Sequence, residues 1–154
     1  MIRLAFYKGR TETNPSARLF DEAVCLWTGG LYSHVEMVFY GPGDKPICWS
    51  SSHRDKGVRK KVIDLASGHW DLLDLPEQFD EDEALAWFIR HRDQPYDVAG
   101  LFGFVLPWKT HDKDKWFCSE AVAAALGFPK PHKFSPNSLY RYIQQQPSRS
   151  IVMP

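Results

Sequence analysis

A change of hydrophobic period near the middle of this 154-residue chain constrains its fold more than any other feature. Up to about Leu75 most apolar residues come in short runs or alternate with polar ones between glycine- and proline-bearing turns, as in strands; from Asp80 they recur every three to four residues, as in helices. Ile2 to Tyr7 is a compact apolar run broken by Lys8-Gly9-Arg10, which predicts a buried first strand. In Ser33 to Phe39, Val35, Met37 and Phe39 point one way while His34, Glu36 and Val38 point the other, because strand side chains alternate. Gly41-Pro42-Gly43-Asp44 is a turn, and Pro46 to Ser52 is its antiparallel partner. If Tyr40 pairs with Pro46, Glu36 falls opposite Ser50 and His34 opposite Ser52. Asp55-Lys56-Gly57 turns the chain into a strand through Val58, Lys60, Val62 and Ile63, and His69 to Leu75 forms one more. The succession predicts a meander, hence a mainly antiparallel sheet.

One helix interrupts the strands. Pro15-Ser16 opens it and Thr28-Gly29-Gly30 closes it, with Leu19, Phe20, Ala23, Leu26 and Trp27 expected on its buried face. Asp80 to about Arg92 carries acids early and bases late, the order that a helix dipole favours. Residues 94–104 read as a short helix or turn under the site, and residues 109–115 as a surface loop. Ser135-Pro136 caps a helix running through Leu139 to Gln145, and residues 149–153 return as an edge strand. With no repeat or linker, residues 1–154 are expected to form one α+β domain.

Chemistry enters at Trp116 to Gly127, a short helix closed by glycine with Cys118 in its first turn. Amide groups at a helix start carry partial positive charge, so a thiol there becomes a better nucleophile. Cys25 and Cys48 lack that setting and are expected in the core. A cysteine nucleophile needs a base on a rigid element, held by a third group, and His34 is the candidate base. The third group is Glu36, or Ser50 or Ser52 on the adjacent strand; both options stay open. Glu120 either belongs to the site or pairs with Arg54, Arg59 or Lys61 and fixes the helix. Tyr32, Tyr96, Trp27, Trp49, Trp108 and Trp116 are candidate cleft walls. His53, His69, His91, His111 and His132 are too scattered to suggest a metal site, and no cofactor is implied.

Nineteen basic residues balance nineteen acidic ones, which gives no net charge to attract nucleic acid or an anionic membrane. Three cysteines with no C-x-x-C pair suggest a reducing compartment. Without a signal peptide or a membrane-length apolar run, the expectation is a cytoplasmic chain, or one carried by a viral particle.

The order Tyr32-Ser33-His34-Val35-Glu36, Gly57-Val58-Arg59, Tyr96-Asp97 and Phe117-Cys118-Ser119-Glu120 resembles the circularly permuted papain-fold cysteine peptidases and amidases. Within that NlpC-type superfamily it is most similar to the YiiX/YaeF-like branch, with lecithin retinol acyltransferase a more distant cousin. The resemblance implies an antiparallel sheet with the cysteine helix packed on one face and meeting the strand histidine. It implies Cys118 and His34 as the catalytic pair; Glu36 is added to them from the strand face that it shares with His34, and Tyr32, Ser50, Ser52, Tyr96, Asp97, Ser119 and Glu120 are the residues expected around them. Such enzymes often carry a glutamate on the strand after the histidine. This chain has Ser50-Ser51-Ser52 there, so Glu36 substitutes, a serine suffices, or the enzyme is weak. The implied activity is hydrolysis of a peptide or isopeptide amide, such as a peptidoglycan stem peptide. The alternatives are a lipid acyltransferase or thioesterase, and a catalytically idle binding or structural module, for instance in a phage particle.

Overall fold

A computed structural model describes residues 2–11, 13–99 and 114–146. Among these residues five strands and four α-helices follow one another as β1 (Arg3–Lys8), α1 (Pro15–Thr28), β2 (Tyr32–Tyr40), β3 (Pro46–Ser52), β4 (Gly57–Val62), β5 (Trp70–Asp74), α2 (Glu81–Arg90), α3 (Cys118–Ala125) and α4 (Pro136–Gln144). The strands form one antiparallel sheet in the order β4-β3-β2-β1-β5. The expected register holds from Tyr40 opposite Pro46 to Met37 opposite Trp49, where the ladder stops short of the expected pairs of Glu36 with Ser50 and His34 with Ser52.

The expected meander fails at its last step. β5 leaves β4 and pairs with the free edge of β1, placing Ala5 opposite Leu72. Leu4, Ala5 and Phe6 are all fully buried, so β1 is apolar on both faces. Such a strand belongs in the sheet interior with a neighbour on each side, and β5 supplies the second.

Alternation along β2 sorts the two faces as expected. Val35, Met37 and Phe39 join Leu4, Phe6 and Trp49 in the main core, where α2, α3 and α4 pack. Val38 lies on the other face with Ala5 and Cys48, covered by Ile63, Leu65 and Trp70. That second layer is thin, and it leaves the His34 end of the face open to a cleft.

Helix α1 turns a different side inward from the one expected. Asp21, Val24 and Cys25 are buried, whereas Leu19, Leu26 and Trp27 are 72%, 81% and 44% exposed. Asp21 accepts from Arg54 at 2.8 Å, and the Cys25 thiol donates to the Leu31 carbonyl at 3.2 Å. A paired acid can be buried, and hydropathy counting gives it no credit for the pairing. The helix ends follow local chemistry: Asn14 Oδ1 accepts from the Ser16 and Ala17 amides, and Gly29 closes the helix at φ 64°. Likewise Asp80 caps α2 and Ser135 caps α4.

Asn137, buried in the first turn of α4, joins three elements. Its Oδ1 accepts from the Tyr32 amide at 3.0 Å, and its Nδ2 donates to Thr28 Oγ1 and the Tyr32 carbonyl at 2.6 and 2.8 Å. The start of β2 is thereby held in place two residues before His34.

Among the described residues, no helix is long and apolar enough to cross a membrane. The part of the 94–104 turn beyond residue 99, most of the 109–115 loop, Trp108, His111 and the 149–153 strand lie outside the described residues.

Candidate active site

Cys118 is the first residue of α3, following Phe117, which is extended at φ −95° and ψ 168°. The chain entering this helix is tied down on several sides. Ser51 Oγ donates to the Trp116 carbonyl at 2.6 Å, the Trp116 amide donates to Pro95 O, and the Asp97 amide donates to Trp116 O. Gly57 makes room for that approach: a Cβ there would run into the Gln94 carbonyl oxygen. Behind the cysteine, Ala121, Val122 and Ala123 are fully buried, so α3 is wedged into the main core.

The backbone ladder between β2 and β3 ends at Met37 and Trp49. Beyond it Ser50 spans the strands with its hydroxyl, donating to Val35 O at 2.7 Å. Past that point β3 continues against β4 alone, which places the open end of β2, with His34, beside the start of α3.

Side chains at i and i+2 share a strand face, and His34 and Glu36 meet there, Nε2 to Oε1 at 2.7 Å. That contact leaves Nδ1 as the ring nitrogen available to the Cys118 sulfur. Burial alone would depress the imidazole, but the charge and hydrogen bond of Cys118, then those of Glu36, raise it to about 9. The ring is therefore an imidazolium at neutral pH and donates from both nitrogens. For Glu36, which is fully buried, burial acts upward and is outweighed by His34 and then Arg59, which hold the carboxyl below its ordinary value.

Arg59 grips Glu36 through two bonds, Nη1 to Oε2 at 2.7 Å and Nη2 to Oε1 at 2.6 Å. Its Nε donates to Asp55 at 2.7 Å, and Lys61 donates to the same carboxylate at 3.2 Å. Burial works against ionising Asp55, yet these hydrogen bonds bring it down to about 2. A continuous chain of charge thus runs from Lys61 through Asp55, Arg59 and Glu36 to His34 and Cys118. Sequence reasoning named Arg59 as an alternative partner of Glu120 and within the Gly57-Val58-Arg59 motif of the resemblance, but not as the partner of Glu36. The usable signal was parity: Arg59 lies opposite Ser50 and Lys61 opposite Cys48, on the face that carries His34 and Glu36.

The other expected site residues separate into two groups. Tyr96 and Ser52 line a cleft of about 620 Å³ together with His34, Glu36, Arg54 and Trp70. Of the five candidate cleft walls among the described residues, Tyr32, Tyr96, Trp27, Trp49 and Trp116, only Tyr96 lines the cleft, and Trp70, which was not among the candidates, does too; Trp49 packs on Phe88 and Trp116 on Trp87. Ser52 Oγ accepts from the Asp55 amide at 3.4 Å, and Ser50 bonds backbone carbonyls, so the bond that fixes the imidazole comes from Glu36. Tyr32 lies against Phe6 and Tyr140 with its hydroxyl on Asp71, and Ser119 donates to the Phe134 carbonyl. Both are architectural. Cys25 and Cys48 are buried core thiols, with burial pushing Cys48 up to about 12. Among the described residues no cluster of three histidine, cysteine or acidic side chains could hold a metal ion.

The alternative partners considered for Glu120, namely Arg54, Arg59 and Lys61, hold other acids: Asp21, Glu36 and Asp55. Glu120 reaches back to the Phe117 amide at 3.4 Å, and burial, with the nearby Asp97 carboxylate adding to it against that amide bond, raises its carboxyl to about 8. A raised acid costs stability as pH climbs: below about 4.5 Glu120 is protonated in both states, and between there and about 8 only the unfolded chain ionises. Glu120→Gln keeps the acceptor for Phe117 and removes the ionisation. It is expected to stabilise the fold by on the order of 3 kcal/mol at pH 7 and by almost nothing at pH 4, read from urea unfolding at both pH values. Equal effects at the two pH values would show that Glu120 ionises normally.

No protein-family model matches the chain, and no curated protein matches it.

Proposed function

We propose that the chain is a cysteine hydrolase of the permuted papain-like kind, cleaving peptide or isopeptide amides with Cys118 as nucleophile, His34 as its acid and base, and Glu36 as the group that orients His34. The observation carrying this is the His34 ring held at Nε2 by Glu36 at 2.7 Å, with Cys118 at a helix start acting on the same ring. In the first half-reaction the Cys118 thiolate attacks the amide carbonyl, and the oxyanion is held by backbone amides at the start of α3. As the C–N bond breaks, the imidazolium of His34 hands its proton to the departing amine, leaving a thioester. Water then gives a proton to His34 and attacks the thioester, which releases the acid and restores the thiolate and imidazolium. Peptidoglycan stem peptides are a fitting amide source.

Because His34 must be protonated to expel the amine, kcat/KM is expected to fall above pH 9, where the ring loses its proton. A profile flat to pH 10.5, or one falling already below pH 7, would remove His34 as the proton donor.

The idle-module reading has one observation in its favour: Cys118 is only 1% exposed. The cleft is lined by His34 and Tyr96, both of which feel the charge of Cys118, but Cys118 itself is not one of its described lining residues. Iodoacetamide separates the readings. At about pH 6.5 a working Cys118 alkylates faster than in the urea-unfolded chain, and His34→Ala erases the gain. If Cys118 is no faster than in the unfolded chain, the module reading stands. Purified muropeptides, set against acyl-lipid vesicles, then distinguish amide hydrolysis from lipid acyl transfer.

A further inference from the structure

Among the described residues, six charged side chains besides His34 line the cleft, and these six cancel in number: Asp21, Glu36 and Asp55 against Arg54, Arg59 and Lys61. They do not cancel in depth. The carboxylates sit low, with side-chain exposures of 8% for Asp21, 0% for Glu36 and 28% for Asp55. Arg59 is 15% exposed and turned onto two of those acids. Arg54 and Lys61 keep 54% and 53% of their side chains open while anchored to Asp21 and Asp55 beneath them.

We propose that this cleft takes acyl donors that carry an anionic group, selected by Arg54 and Lys61 at its rim; the inference rests on the reading of Cys118 as the nucleophile. Coulomb energy falls as the inverse of distance, so a group entering the cleft meets the two raised cations before the acids below them. The imidazolium of His34 adds the same sign deeper in. Phe20, Ile63 and Trp70 line the cleft too, and apolar walls keep water from screening the field while offering contact to the uncharged body of the substrate. A carboxylate within a few bonds of the scissile amide, as in an acidic peptide, satisfies both halves of this surface. A cationic donor would have to sit against the exposed heads of Arg54 and Lys61.

The test compares two reagents of the same size and leaving group, iodoacetate and iodoacetamide, on Cys118 of the full chain, followed by mass mapping of its peptide. Their rate ratio is divided by the same ratio in the urea-unfolded chain. The expected preference for iodoacetate is roughly tenfold at low salt and shrinks toward one in about 0.5 M NaCl. Lys61→Gln is expected to lower it about twofold, and Arg54→Gln with Lys61→Gln about fivefold. The single change lies on an exposed side chain, so it reports even if the double variant does not fold. A salt-dependent preference left intact by Lys61→Gln and by the double variant would come from His34 alone and overturn the proposal, as would no preference at all. In either case the nucleophile reading survives. Should Cys118 react with neither reagent faster than in the unfolded chain, that reading fails and this inference fails with it.

Discussion

A Cys118→Ser chain is expected to hydrolyse peptide amides at least about 1000-fold more slowly than the parent, with urea stability changed by no more than about 1 kcal/mol. Serine is close to cysteine in size and keeps the same place at the head of α3, so the wedge of Ala121, Val122 and Ala123 into the core is undisturbed. What changes is the nucleophile. A hydroxyl holds its proton far more tightly than a thiol, and the imidazole opposite is already committed to its proton by Glu36. Without the sulfur facing it, His34 also loses its largest upward influence, so the ring deprotonates at lower pH in the variant. An NMR titration of the ring checks that second consequence independently of any substrate. Hydrolysis that persists in Cys118→Ser would place the chemistry elsewhere.

Arg59→Met is expected to destabilise the fold by about 3–5 kcal/mol at pH 7, a large share of the total for a domain of this size. The side chain itself is not the main loss. Removing it leaves Glu36, fully buried and ionised, with His34 as its remaining charged contact among those described. The pH dependence identifies the cause. In the parent, the depressed Glu36 carboxyl contributes stability above its unfolded value near 4.5, and this is lost as pH falls through the folded value. Without Arg59 the carboxyl takes up a proton more readily, so the cost of the substitution should shrink as the solution approaches pH 4. Adding Glu36→Gln to Arg59→Met should recover much of the loss at pH 7, since a neutral amide is cheaper to bury than an unpaired carboxylate. Urea midpoints for the two single variants and the double variant complete the cycle. If Arg59→Met unfolds within about 0.5 kcal/mol of the parent, the guanidinium grip contributes little to the fold.

These two predictions differ in how far they were visible beforehand. Cys118 and His34 stood out because each carries a local signature, a thiol at a helix start and a polar residue inside an apolar strand. That His34 and Glu36 share a strand face followed from parity alone. Neither the choice of Glu36 over Ser50 and Ser52 nor the grip of Arg59 could be read that way. Ser50 and Arg59 lie on neighbouring strands, and their hydrogen bonds depend on where the β2–β3 ladder stops. Glu120 is the opposite case: its place in the helix was plain, but its partners were not, because the three cations considered for it are held by other acids.

The amino-acid sequence by itself determined the pieces whose causes are local: the approximate strand and helix boundaries, the cap at Ser135, the turn that joins β2 to β3, and the face shared by His34 and Glu36. Only the tertiary structure decided that β5 pairs with β1, that α1 buries Asp21 and leaves Leu19 and Leu26 outside, and that Arg59 rests on Glu36. The physical reason is the same each time. Periodicity and capping act over a few residues of chain, whereas the free energy of burying a charge or a sheet edge is set by the partner that folding brings from far along the sequence.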